Sequence, residues 1–190
     1  MDIIQSIDFQ ILDFIQEFIR SAFLDPIMRV FSYIGEIGAI WILLGITLLF
    51  FRKTRAAGLG VLAAIALSFL AGELCIKNVV ARPRPFLINT SAHVNGHAPS
   101  GYSFPSGHTS SSFAAVTVLF AMLRDKKWIC FSALAVAVLI AFSRIYNYVH
   151  YPSDVLCGML LGIISAIIIV FIFKKTKLDK KLSGDLKYKS

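Results

Sequence analysis

Asp154-Val-Leu-Cys-Gly-Met-Leu-Leu-Gly-Ile-Ile-Ser-Ala-Ile-Ile-Ile-Val-Phe-Ile-Phe173 decides what kind of protein this is. Beyond its opening carboxylate the stretch carries no charge, and as a helix rising about 1.5 Å per residue it matches the roughly 30 Å of hydrocarbon in a bilayer. Working outward, the same character returns in Trp128 to Arg144, in the run that follows Pro105-Ser106-Gly107 to Leu123, in Ala56 to Ile76, and in Ile37 to Phe51. The whole chain of 190 residues is 57% hydrophobic and 16% charged, with a mean hydropathy of +0.73, too apolar for an ordinary soluble domain. An aromatic share of 13% excludes a disordered polymer, and the connections leave no room for a second globular domain.

The N-terminal residues read differently. From Asp2 to Arg20, Ile4, Ile7, Ile11, Phe14, Ile15 and Phe18 recur at helical spacing while Gln5, Asp8, Asp13, Gln16 and Glu17 interrupt any spanning run. This predicts an amphipathic helix on the membrane surface, and the absence of an early basic cluster argues against a cleavable signal peptide. Leu24-Asp25-Pro26 predicts an Asp cap with Pro at the first helical position, opening the first span. The expected fold is thus all-α: one integral membrane helical bundle over residues 1–190, with five spanning helices, an interfacial segment 1–23 and a basic cytoplasmic tail 174–190.

Nineteen Lys and Arg against eleven Asp and Glu give +8, but in a membrane protein the placement of charge matters more than its sum, and no nucleic-acid partner is expected. Thirteen cations (Arg52, Lys53, Arg55, Arg124, Lys126, Lys127 and the tail lysines 174, 175, 177, 180, 181, 187 and 189) fall on one side and six (Arg20, Arg29, Lys77, Arg82, Arg84, Arg144) on the other. The positive-inside rule puts the first side in the cytoplasm of a plasma-membrane protein, and the loops 77–104 and 144–152 outside. The tail itself reads as a topology anchor. Cys75, Cys130 and Cys157 lie in apolar runs without ligand spacing and are expected to be buried free thiols.

Three separate fragments meet at the outer ends of the spans: Lys77 with Arg84-Pro85, Pro105-Ser106-Gly107-His108, and Ser143-Arg144 with His150 and Asp154. Lys77, Arg84 and Arg144 supply cationic donors, and a helix opening at Ser106-Gly107-His108 supplies unpaired backbone N–H groups, a combination suited to a phosphate. His150 and Asp154 are four apart across a turn, so the carboxylate can take one imidazole N–H and leave the other nitrogen to attack. His108 remains to protonate a leaving oxygen. No metal or other cofactor is called for by this chemistry.

These fragments resemble the type-2 phosphatidic acid phosphatase superfamily, whose pattern K-x6-RP, PSGH and SR-x5-H-x3-D they match without departure between Lys77 and Asp154. The resemblance implies that His150 is the nucleophile, Asp154 its partner and His108 the general acid, with Lys77, Arg84, Ser106, Gly107 and Arg144 binding phosphate. It implies a lipid phosphate substrate; short members with outward sites often act on undecaprenyl diphosphate, others on phosphatidylglycerol phosphate or phosphatidic acid. A non-catalytic lipid-phosphate binding or transport protein is the rival from another class, and a vanadate haloperoxidase a second enzymatic one, disfavoured by the spanning helices. Oligomeric state is not legible.

Other residues carry weaker expectations. Arg82 is either a further phosphate donor or a solvated loop arginine, and Glu73 is expected to pair with Lys77 one helical turn on, with a share in substrate recognition as the alternative. His93 and His97 read as solvated loop histidines, with contact to a second phosphate as the alternative. Tyr146, Tyr148 and Tyr151 are expected in an interfacial aromatic belt.

Overall fold

The computed structural model describes residues 3–183; Asp2, Lys187 and Lys189, used above, lie outside them. Every regular element among the described residues is helical. The surface helix α1 (Ile3–Phe14) continues through a π turn at Ile15–Ile19. Leu12 and Ile15 are buried against the bundle while Ile4, Ile7, Phe14 and Phe18 stay exposed. Most of its apolar side chains therefore point away from the rest of the bundle.

α2 (Leu24–Ile34) and α3 (Ala39–Leu49) are two halves of one apolar passage, bent by 47°. The bend is a correction to the uninterrupted first span. Gly35-Glu36-Ile37-Gly38 breaks the helix, with Ile37 at φ 53° and Gly38 at φ 72°. Asp25 is no cap either. It sits inside the first turn, where its carboxylate takes hydrogen bonds from Arg20 (3.3 and 3.2 Å) and from the Tyr146 hydroxyl (2.8 Å).

α4 (Arg55–Phe69) runs on through a π segment, Leu70–Ile76, into the short α5 (Lys77–Val80), and Ala81 at φ 48° ends it ahead of the two Arg-Pro pairs. After α6 (Pro85–Ile88) a long loop leads to α7 (Gly107–Met122), α8 (Lys127–Tyr146) and α9 (Pro152–Lys175). A further helix, α10 (Leu178–Ser183), lies within what reads in the sequence as a plain lysine tail, and packs on α4 and α9.

Among the described residues three helical stretches are long and apolar enough to cross a membrane, or four if the bent pair is one span. The chain is a multi-pass membrane protein. α7 is outside that count because it is short and opens with Thr109, Ser110, Ser111 and Ser112, all buried. Such a helix avoids lipid by being central, and it packs on α9, α4 and α8. Its tightest crossing is with α9. A Cβ at Gly158 would stand 2.5 Å from the Ser106 carbonyl oxygen and one at Gly162 closer still to that of Ser110, so only glycine admits this approach.

Candidate active site

The central crossing brings the N-termini of α7 and α9 together, and the Ser106 N–H donates to the Asp154 carbonyl at 3.1 Å. Ser106 has extended backbone and caps α7, its Oγ accepting from Thr109 N–H and the Thr109 hydroxyl at 3.5 and 3.0 Å. At the far end of α8, the Val149 and His150 N–H groups both turn back to the Arg144 carbonyl, at 3.2 and 3.3 Å. Pro152 then starts α9 with Asp154 in its first turn.

Within this frame His150 is almost wholly buried. Its Nδ1 lies 3.5 Å from Asp154 Oδ2, within ion-pair reach but not aligned as a hydrogen bond, and it has no other partner among the described residues. Its Nε2 lies 3.2 Å from Arg84 Nη1. An arginine can only donate, so Nε2 presents its lone pair and the proton sits on Nδ1, facing the carboxylate. Burial drives this imidazole down to about 3, and the Arg144 and Arg84 charges push the same way against the opposing pull of Asp154.

Arg84 is fixed by donating to the carbonyls of Gly101 (3.0 Å), Val149 (2.9 Å) and Ser100 (3.2 Å). Arg144 is held through Ser32 Oγ, while its buried Nε has no partner among the described residues. Lys77 Nζ grips both oxygens of Glu73, at 2.6 and 2.7 Å, the pair expected from their spacing. His108 Nε2 lies 3.2 Å from the Ser32 carbonyl and 3.6 Å from Glu36 Oε2.

Lys77, Arg84, Gly107, His108, Arg144 and His150 all line one cavity of about 310 Å³. Two of the expected site residues do not: Asp154 stands behind His150, and the Ser106 side chain is turned into its own helix. Both histidines thus face one compartment whose fixed donors carry three positive charges. On another side the cavity is walled by Ile37, Ile65 and Phe69, and Ile37 (79% exposed) and Phe69 (49%) also lie on the outer surface of the bundle. These two side chains border the cavity between the α2–α3 break and α4.

Several expectations need correcting. Tyr146, Tyr148 and Tyr151 form no belt; all three are fully buried. The Tyr146 hydroxyl donates to Asp25 and that of Tyr148 to Asp13, both at 2.8 Å, so these rings fasten α1 and α2 to the α8–α9 turn. Cys75 is exposed on the bundle surface while Cys130 is buried, and the three thiols are free. Arg82 is neither in the cavity nor a solvated loop arginine, being bound to Asp8 and Asp154. His93 and His97 are exposed, and His97 borders the cavity. Glu36, Ser32 and Asp8 escape the sequence reading. Glu36 alone carried a signal, as a carboxylate between two glycines inside an apolar passage.

Fold and site together define a membrane-embedded helical bundle in which two histidines and three cationic side chains line one cavity at the ends of its central helices. The chain belongs to the PAP2 superfamily, whose model matches residues 57–177. It is 37% identical over 124 residues to an undecaprenyl-diphosphatase of Sulfolobus acidocaldarius, a match covering 65% of this chain and 58% of that relative. The crystal structure of Aquifex aeolicus LpxE superposes with a TM-score of 0.77 at 31% identity, covering 90% of this chain and 99% of that one. A PAP2-type phosphatidylglycerolphosphate phosphatase from Bacillus subtilis gives a TM-score of 0.74 at 26% identity, with 92% and 88% covered.

Proposed function

We propose that this chain is a lipid phosphatase that hydrolyses a phosphomonoester or diphosphate through a phosphohistidine intermediate, without a metal ion. The observation that carries the reading is the pairing of His150 Nε2 with Arg84 on the cavity side and of Nδ1 with Asp154 behind it. When a phosphoryl group enters, Arg84, Arg144, Lys77 and the N–H groups at Gly107 neutralise its oxygens. His150 Nε2 attacks phosphorus in line, the P–N bond forms as the bond to the leaving oxygen breaks, and Asp154 stabilises the imidazolium. His108 gives the leaving oxygen its proton, then takes one from the water that attacks phosphorus and breaks the P–N bond. Glu36 Oε2 stands 3.6 Å from His108 Nε2, where its charge can face the imidazolium that serves the first half.

The bundle is read as a single membrane phosphatase domain of five spans, counting the bent α2–α3 pair, α4, α7, α8 and α9, with α1 on the outer surface and the lysine side in the cytoplasm. The site then lies at the extracytoplasmic face, at a depth a lipid headgroup reaches without leaving the bilayer. Undecaprenyl diphosphate is the favoured substrate. It is supported by the outward site and by similarity to a named undecaprenyl-diphosphatase. The test is phosphate release by purified protein from undecaprenyl diphosphate, phosphatidylglycerol phosphate and phosphatidic acid, with His150→Ala as control. Fastest turnover of the diphosphate, abolished in the control, is expected; equal release by both proteins overturns the nucleophile.

A further inference from the structure

We infer that Arg82 and Asp8 are positioning residues for the Asp154–His150 pair, so that the surface helix α1 fixes the nucleophile from outside the reaction cavity. The inference rests on the reading of His150 as nucleophile. Neither residue lines the cavity. Arg82 nonetheless ties together three segments far apart in sequence. Its Nη1 donates to Asp154 Oδ1 and to Ser153 Oγ, both at 2.7 Å, and its Nη2 donates to Asp8 Oδ2 at 2.7 Å. Its guanidinium carbon lies 3.7 Å from the centre of the Tyr151 ring. Asp8 in turn accepts the Ser153 N–H at 2.9 Å and the Ser153 hydroxyl, so a carboxylate from α1 completes the N-terminus of α9.

The consequence lies in how Asp154 is held. Its Oδ2 takes the Tyr151 N–H at 3.0 Å and faces His150, leaving Oδ1 with Arg82 as its charged partner. Asp154 is fully buried, so without that partner its charge is uncompensated and only the Tyr151 N–H remains to hold its plane against the imidazole. Asp8, only 2% exposed, keeps the guanidinium fork from swinging wholly onto Asp154 and neutralising it. A planar fork is required for this. Lysine, a single point charge, cannot reach acceptors on both sides at once.

The experiment compares the full chain with Arg82→Gln, Arg82→Lys, Asp8→Asn and the Asp8→Asn/Arg82→Gln double variant, with His150→Ala as control. It measures kcat and KM on a short-chain polyprenyl diphosphate, and the affinities for vanadate and inorganic phosphate. All three single variants are expected to lower kcat by about 10- to 100-fold, the range seen for groups that orient metal-bound histidines, with little change in KM. Vanadate, which needs His150 Nε2 aimed at the metal, should bind about tenfold more weakly, while phosphate, held by Lys77, Arg84 and Arg144, binds as before. The double variant should be no slower than Arg82→Gln, since both changes cut one connection. A raised KM or weakened phosphate binding at unchanged kcat makes Arg82 a phosphate ligand and overturns the inference. So do unchanged kcat and vanadate binding, and so does a parallel loss of both anions, which marks a folding role. Absence of turnover above the His150→Ala control instead removes the phosphatase reading, and the vanadate-to-phosphate comparison still decides the positioning claim.

Discussion

His150 is kept neutral by its surroundings, and this has a measurable cost at low pH. Its folded-state pKa is about 3; a free histidine has about 6.5. The unfolded chain therefore takes up a proton first as pH falls. Stability contributed by the neutral ring is complete above about 6.5 and declines as pH drops toward the folded value. The unfolding midpoint of the intact protein should fall more steeply between those limits than that of His150→Gln. Arg84→Lys should lower kcat/KM by about 100-fold, as expected for loss of one preorganised donor, because a lysine cannot bind three carbonyls and still face His150. Steady-state kinetics in detergent checks this. At this scale the sequence was informative wherever a residue acts through its own charge: the motif spacing located Lys77, Arg84, His108, Arg144 and His150 on one cavity. It was silent on Asp8 and misleading on the tyrosines, because both depend on which distant segment packs alongside, and interfacial and buried tyrosines have the same local pattern.

Among the elements, two depart from simple hydropathy for physical reasons. The α2–α3 passage breaks at Gly35–Gly38 and so brings Glu36 beside His108. Glu36→Gln should lower kcat by about 10-fold or more, within the usual worth of a tuned acid, with KM nearly unchanged; single-turnover release of the leaving lipid alcohol is the measurement. α7 is short and serine-rich because α9, α4 and α8 shield it. Its contact with α9 leaves no space at Gly162, so Gly162→Ala should destabilise the bundle by about 1–3 kcal/mol through overpacking, read as a lowered thermal midpoint. The ends of α7, α8 and α9 were legible to within a few residues, since charges and prolines bound them. The break in the first passage was not, because small residues within an apolar run are also what close helix packing uses.

For the whole molecule, the orientation proposed from the cation asymmetry can be tested directly. In a chain with its own cysteines replaced, a cysteine at Ser91 should react with a membrane-impermeant maleimide in intact cells, and one at Asp125 only after lysis; both positions are exposed. The architecture also interleaves labour along the chain. The cavity's cationic side chains and its two central histidines come from Lys77 onward, whereas its apolar wall comes from Ile37, Ile65 and Phe69. The earlier stretch also props the later one, through Ser32 under Arg144, Glu36 beside His108 and Asp8 on Arg82. For a lipid phosphatase of the kind proposed, a new clientele is therefore reached by single exchanges in the wall, because swapping the earlier stretch whole carries off those supports with it.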